Sequence, residues 1–467
     1  MRPDATMITT GILAHLATVI GVLLTILAIA HMLRQRRSPS STAAWLLAIL
    51  AVPYLGVPLF LMFGGRKLRR RAEIKDNLGL IAREAIPPQE SSDVDRALRS
   101  YGIPGATTGN RMTLCSNGGE GLQAMLRLVG EASRSIHVET FIFSCDEVGQ
   151  DVLNRLAKRA AEGLEVRLLV DGVGSLKTPR RFYAPLLQAG GELAVFNPAI
   201  HIPFLRRTNL RNHRKIAVAD GWRALAGGMN ISGNDMFATP KPGAWQDLSF
   251  VVEGPAAWHF DQVFRSDWKF AMGEDLDGVT DPSPCGLPNG AVLQVVPSGP
   301  DVANDPLLDT ILMSIFSARR RVWIVTPYFV PDDTVAQALL VACHRGVDVS
   351  ILVPEKSNHA LADIARGSFL RDIEQAGGTI WLYTPGMLHG KLVIIDHELA
   401  MVGSANFDMR SLMLNFEIMQ FVYSKAEIDA LDAWVRGLVQ DSKTGMPAAG
   451  AAREIIEGLT RIVEPQL

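Results

Sequence analysis

Two stretches decide the reading: Asn212-His213-Arg214-Lys215-Ile216-Ala217-Val218-Ala219-Asp220 and His389-Gly390-Lys391-Leu392-Val393-Ile394-Ile395-Asp396. Each places a His and a Lys two residues apart, then four apolar residues, then an Asp. Residues two apart on an extended chain share a face, so each stretch offers an imidazole and an ammonium to one surface while its apolar run enters a core. Behind the first comes Gly227-Gly228-Met229-Asn230, and behind the second Gly403-Ser404-Ala405-Asn406. A carboxylate follows each at comparable separation, Asp247 and Glu417. One His-x-Lys match is an ordinary strand end. Two matches, each trailed by a Gly turn, an Asn and a carboxylate, predict one shared site.

The flanking sequence repeats as well. Residues 135–143 read as a strand, 151–163 as an amphipathic helix and 164–170 as a buried strand; the same order returns at 321–330, 333–346 and 347–353. Gln-Ala-Gly-Gly occurs at 188–191 and again at 375–378, ahead of each His-x-Lys block. An internally duplicated α/β fold follows, with its seam in the Pro/Gly-rich stretch 281–299. The expected organisation is a membrane anchor at 1–71, a connector at 72–105, halves at 106–281 and 282–425, and a helical segment at 426–467. The halves differ in the connection before the motif. Fourteen residues separate Pro198 from His213, but only three separate Pro385 from His389. The longer one carries Ile202, Phe204 and Leu205 beside Arg206, Arg207 and Arg211, the composition of a surface loop or of a lip that touches lipid.

These residue types suit phosphodiester transfer. One His can attack phosphorus while the other protonates the leaving alkoxide and later accepts a proton. Lys215, Lys391, Asn230 and Asn406 can hold the non-bridging oxygens as charge builds on them. Asp247 and Glu417 are placed to orient the imidazoles, with Ser404 as a further support. The candidate catalytic set is His213, Lys215, Asp220, His389, Lys391 and Asp396, although the two Asp, at strand ends, suit fixing a turn better than moving a proton. No metal and no cofactor is required if the lysines supply the positive charge. The remaining histidines lack such company and read as structural or solvated.

Composition bounds the setting. The chain has 467 residues, 48% hydrophobic and 20% charged, with a formal net charge of −2. A packed core is expected, and a dedicated nucleic-acid binder is disfavoured because no basic footprint exists. Four scattered Cys with no C-x-x-C pair fit a reducing compartment. Residues 7–33 carry no Lys, Arg, Asp or Glu, long enough for an uncleaved span. A second apolar run at 42–64 holds Pro53, Gly56 and Pro58, so it reads as a kinked span or a re-entrant hairpin. Arg34, Arg36 and Arg37 flank it on one side, and Arg66, Lys67, Arg69, Arg70 and Arg71 on the other. The larger cluster places the following body in the cytoplasm.

At these residues the sequence resembles the phospholipase D superfamily and, within it, the bacterial cardiolipin synthases. The resemblance rests on 212–215, 227–230, Pro297-Ser298-Gly299-Pro300-Asp301, 403–406, Ser411 and Asn415-Phe416-Glu417, and on Trp45, Pro53, Gly56 and Phe63-Gly64 in the anchor. It implies two α/β/α halves related by a pseudo-twofold, preceded by N-terminal membrane helices. It further implies a covalent phosphatidyl-histidine, with His213 as nucleophile and His389 as acid/base, an order the residues alone leave open. The implied reaction joins two phosphatidylglycerols into cardiolipin in the inner membrane and releases glycerol. The sequence departs from the family at Phe141, where Tyr is common, at Gln246, where Arg is common, and at Ser232-Gly233-Asn234. A hydrolytic phospholipase D, another membrane phosphodiesterase and an inactive scaffold are the rival readings.

Overall fold

The computed structural model describes residues 5–33, 39–63, 75, 78–81, 85–198, 210–239, 243–276, 287–288 and 290–463. The basic clusters flanking the second apolar run, the lip around Phe204 and Leu205, and residues 281–286 and 289 of the expected seam lie outside the described residues.

In the first half the strands are β1 (Thr107–Cys115), β2 (Ser135–Thr140), β3 (Glu165–Asp171), β4 (Glu192–Phe196), β5 (Ile216–Ala219), β6 (Arg223–Gly227) and β7 (Ser249–Glu253). In the second they are β8 (Ala291–Ser298), β9 (Arg321–Val325), β10 (Phe329–Val330), β11 (Asp348–Pro354), β12 (Thr379–Tyr383), β13 (Leu392–Ile395), β14 (Leu399–Gly403), β15 (Phe407–Asp408), β16 (Glu417–Val422) and β17 (Ser442–Thr444). Fifteen of these form one sheet, β17-β12-β11-β9-β13-β14-β16-β8-β1-β7-β6-β5-β2-β3-β4. Outward from the antiparallel β8–β1 contact the order repeats: β1-β7-β6-β5-β2-β3-β4 one way and β8-β16-β14-β13-β9-β11-β12 the other. The predicted duplication is therefore a pseudo-twofold about that contact. The expected strand over 321–330 is split in two around Pro327, and β10 leaves the main sheet to pair with β15.

The apolar runs that follow each His-x-Lys are β5 and β13, buried at every position. That is why they read as unbroken hydrophobic runs rather than alternating ones. One apolar cluster joins the halves: Ile216, Phe250 and Val252 pack with Ile394, Val402 and Ile418 beneath the helices Pro255–Met272 and Lys425–Gln440. Each such side chain contributes about 1.5–3 kcal/mol on burial, so separating the halves would expose a core rather than a polar interface.

Asp220 and Asp396 occupy turns with positive φ, 57° and 52°. The Asp220 carboxylate accepts from the backbone N–H groups of Ser133 (2.9 Å), Arg134 (2.7 Å) and Ser135 (3.0 Å). Asp396 does the same with Arg319 (3.1 Å), Arg320 (2.7 Å) and Arg321 (2.9 Å). Each locks the turn that closes its motif strand to the start of the neighbouring strand, β2 or β9. This corrects their inclusion in the catalytic set: the apolar strand separates them from His and Lys, and their oxygens are filled by backbone donors.

At the N-terminus, helices Ala5–Leu33, Pro39–Ala51 and Pro53–Phe63 bury Ala28, Met32, Ile49, Val57 and Phe60 against one another. The second apolar run breaks at Val52, ahead of Pro53, as its prolines demand. Among the described residues, no helix is long and apolar enough to cross a membrane. At the other end, the helix Ala451–Val463 docks on Ala360–Gln375, where the buried Glu457 pairs with Arg371 and Arg453.

Candidate active site

Both His-x-Lys segments precede their strands and sit where the halves interlock. His213 N donates to Phe416 O (2.9 Å), and Phe416 N donates to Arg211 O (3.0 Å). Across the pseudo-twofold, His389 N donates to Gln246 O (2.7 Å), and Gln246 N donates to Met387 O (2.8 Å). Each motif is thus stitched to the carboxylate-bearing segment of the opposite half. The sequence had suggested that each motif keeps its own carboxylate, but the structure exchanges them. His213 Nδ1 lies 3.0 Å from Glu417 Oε1, and His389 Nδ1 lies 2.6 Å from Asp247 Oδ2. Gly228 makes room for this: a Cβ there would sit 2.2 Å from Asp247 Oδ1.

With each Nδ1 committed to a carboxylate, Nε2 is the nitrogen left to face a substrate. Both imidazoles are buried, His213 against Phe141 (ring centroids 4.9 Å apart) and His389 against Trp245 (4.8 Å). Lys215 Nζ donates to His213 O at 2.6 Å, and Lys391 Nζ makes the same bond to His389 O. Of the other sequence-derived residues, Ser404 Oγ donates to Glu417 and accepts from Ile418 N (3.0 Å). Asn230 is buried, accepts from Ile142 N (3.2 Å) and donates to Asp235 Oδ1 (3.1 Å). Asn406 is buried with its Oδ1 unpartnered.

Burial dominates the electrostatics. It lowers the proton affinity of His213, against the pull of Glu417, and lowers that of His389 further, with Lys391 adding to the effect. Burial also brings Lys215 down to about 7, Glu417 opposing and Lys391 reinforcing. Asp247 is pushed up to about 6 by burial, whereas at Glu417 the attraction of His213 and Lys215 overcomes burial and lowers the pKa. A site whose cations are held on the edge of neutrality gains most when an anion arrives.

Two features escaped the sequence reading. Asp235, five residues after Asn230, stands 3.8 Å from His389 Nδ1 and is held by Ser232 Oγ (2.6 Å). Its counterpart five residues after Asn406 is Ser411, so the position that supplies His389 with a second carboxylate holds a hydroxyl in the other half. Among the described residues, Asp235, Asp247 and His389 have ligand atoms within 4.8 Å of one another, a spacing a metal ion could use. Lys391 and Lys215 already place positive charge against Asp247. The second feature is a buried ionic cluster under the first motif. Arg214 binds Asp267 (2.7 Å) and Asp301 (3.2 Å), and its Nε donates to Glu417 O (3.1 Å). Lys75 of the connector pairs with the same two acids. Burial raises the pKa of the adjacent Glu139, which accepts from Asn212. In the second half Gly390 replaces Arg214, and Trp434 fills the space, 2.6 Å from where a Cβ would be.

Two halves of one sheet closing over paired His-x-Lys segments define the phospholipase D-like class of phosphodiester-transferring proteins. Comparison with known proteins narrows the class. The family model "Cardiolipin synthase, PLD-like domain" matches residues 125–268 and 311–439, and a phospholipase D-nuclease N-terminal model matches 23–65. The major cardiolipin synthase of Bacillus subtilis is 32% identical over 433 residues, covering 88% of this chain and 89% of its own. The cardiolipin synthase of Listeria monocytogenes is 30% identical over 483 residues, covering 98% and 100%. Among solved structures, the phosphatidylserine synthase of Haemophilus influenzae shares the fold, with a TM-score of 0.58 at 16% identity over 80% of this chain and all of its own. The chain belongs to the cardiolipin synthase family, and it is a phosphatidyltransferase.

Proposed function

We propose that the protein makes cardiolipin by moving a phosphatidyl group from one phosphatidylglycerol to the terminal hydroxyl of another. The observation that carries this reading is the reciprocal pairing of His213 with Glu417 and His389 with Asp247, which leaves two Nε2 atoms for one phosphorus. His213 Nε2 forms a bond to phosphorus as the glycerol oxygen departs with the proton of His389 Nε2. In the second step the incoming hydroxyl passes its proton to His389, its oxygen bonds to phosphorus, and the phosphorus–nitrogen bond breaks to restore His213. Lys215, Lys391, Asn230 and Asn406 hold the non-bridging oxygens, and preorganised donors of this kind are worth about 10²–10³-fold each in rate. The bond made resembles the bond broken, so the reaction runs near balance and excess glycerol reverses it.

The apolar N-terminal helices support a membrane setting. Val19, Val22, Leu23, Ile26, Leu27, Leu47, Leu50 and Leu55 leave large apolar side chains exposed, a surface that suits lipid better than water. The N-terminal family match covers residues 23–65 of this region. On this reading the anchor lies in the inner membrane with the catalytic body on the cytoplasmic side, where both substrate and product are lipids.

Purified full-length protein incubated with phosphatidylglycerol vesicles, with and without a chelator, tests the reading. Cardiolipin and glycerol in equal amounts, unaffected by chelation, are expected. Phosphatidic acid as the main product would assign a hydrolase instead, and dependence on an added divalent ion would overturn the metal-free mechanism.

A further inference from the structure

The segment that leaves β3 has its polarity turned inside out. Ser175 and Thr178 are 7% and 9% exposed, whereas Val173 and Leu176 are 41% and 63% exposed. A loop facing water ordinarily does the reverse. Hydrogen bonds hold it in this form. Asp171 Oδ1 accepts from Val173 N (2.8 Å) and Gly174 N (2.9 Å). Ser175 Oγ donates to Phe141 O (3.1 Å) and accepts from Phe143 N (3.0 Å), and Thr178 Oγ1 donates to Phe143 O (2.5 Å). Exposed Lys177, Arg180 and Arg181 accompany the two apolar tips, and residues 172–188 contain no acid. The segment also borders the site. β3 runs parallel to β2 and β5 antiparallel to it, so the chain leaves β3 at the edge of the sheet where His213 enters β5. Gly174 presses against Phe141, where a Cβ would sit 2.7 Å from Phe141 Cδ2. Phe141 packs on His213 and lines the same cleft of about 270 Å³.

The second half supplies the other side of that mouth. β11 and β13 stand to β9 as β3 and β5 stand to β2, so the chain leaves β11 at the same edge, beside His389. His359 and Tyr328, rings 5.3 Å apart, line the cleft. Two residues beyond His359, Leu361 is 56% exposed in the first turn of the helix Ala360–Gln375. Lys356 is exposed nearby, and its neighbour Glu355 is already paired with Lys443 (3.0 Å). The helix Ala451–Val463 docks on Ala360–Gln375 and also touches Pro39–Ala51, so one short chain of contacts joins the mouth to the apolar N-terminal helices. Apolar tips accompanied by cations suit a bilayer of anionic lipid, with the tips in the acyl boundary and the cations among the phosphates. We propose that residues 173–181 and Leu361 form a rim that seats the mouth of the cleft on an anionic bilayer, so that a phosphatidylglycerol headgroup reaches His213 without leaving the membrane. The inference rests on the transferase reading above for its substrate. It adds a membrane contact of the catalytic body itself, separate from the anchor.

Fluorescence quenching by lipid tests the rim. Full-length protein carrying Cys145→Ser and Cys285→Ser receives Leu176→Cys, Leu361→Cys or, in the β13–β14 turn at the opposite edge of the sheet, Glu398→Cys. Each variant is labelled with a fluorophore and reconstituted in phosphatidylglycerol vesicles whose acyl chains bear a doxyl quencher. Strong quenching is expected at 176 and 361, and little at 398. Weak quenching at 176, or equal quenching at all three positions, overturns the rim. A label at 176 that is shielded from water yet untouched by the lipid quencher assigns the surface to a second copy of the chain and overturns it too. Turnover gives a second reading from Leu176→Ser/Leu361→Ser. Its rate on phosphatidylglycerol vesicles, relative to its rate on a monomeric short-chain phosphatidylglycerol, should fall about tenfold. A ratio within twofold of wild type contradicts the proposal and leaves the transferase reading standing. Quenching needs no turnover, so a wild type that makes no cardiolipin overturns the transferase reading while the labels still decide the surface.

Discussion

His389 Nδ1 lies 2.6 Å from Asp247 Oδ2, so the imidazole of the second motif is held by a carboxylate from the first half. Glu417 returns the arrangement to His213. Neither half can form a working histidine alone. Asp247→Asn and Glu417→Gln should each lower turnover of phosphatidylglycerol about 10²–10⁴-fold, the range for losing an oriented acid–base group. Product formation on vesicles checks this. Comparable losses on both sides are expected, and a near-normal rate in either variant would show that the exchange is only structural.

Asp235 separates the two histidines further. It stands 3.8 Å from His389, and the equivalent position in the second half holds Ser411. Asp235→Ser gives the first half the residue of the second. Loss of that negative charge weakens proton retention on His389, so turnover of a substrate with an alcohol leaving group should fall about tenfold. A p-nitrophenyl phosphodiester needs little protonation of its leaving group and should lose far less. Equal losses on both substrates would assign Asp235 to packing alone.

Lys215 gives the site a pH dependence. Burial brings it to about 7, so it is charged below that pH and increasingly neutral above it. Binding of an anion to the empty site should therefore weaken as pH rises through 7, by up to about tenfold per unit. Sulfate, whose own charge is constant over this range, is the suitable inhibitor. A sulfate inhibition constant that does not change between pH 6 and 9 would contradict the depressed lysine.

The repeat was legible because it leaves its mark locally. The motif strands are buried on both faces and so appear as apolar runs, and the Gly turns and Asn residues recur at matching distances. What could not be read is which half each carboxylate serves. Asp247 and Glu417 were found by their spacing, yet spacing along the chain says nothing about a pairing made through the Asn212–Phe416 and Gln246–Leu388 bridges. Asp235 was missed because its counterpart is Ser411, so the comparison of halves concealed it. Arg214 looked like the middle residue of a motif, but it is fully buried against Asp267 and Asp301, residues far along the chain.

That buried cluster carries its own expectation. Arg214→Met leaves Asp267 and Asp301 without their guanidinium partner, and breaking such a pair typically costs about 3–5 kcal/mol. A clear fall in the thermal midpoint should accompany loss of activity, because Arg214 Nε also holds the Glu417 carbonyl. Asp220→Ala should lower the midpoint too, by removing three backbone bonds and placing Ala at positive φ. The activity of the remaining folded protein should stay within about threefold of wild type, since Asp220 lies outside the site. A thermal midpoint unchanged in both variants would contradict these assignments.

The central claim is one covalent site built from both halves. Acid-sparing quench of the protein during turnover on phosphatidylglycerol, followed by mass spectrometry of its peptides, reads this directly. The account predicts a phosphatidyl adduct on His213, at most one per chain, absent from His213→Ala. Adducts on both histidines of one chain, or steady cardiolipin formation by His213→Ala, would contradict it.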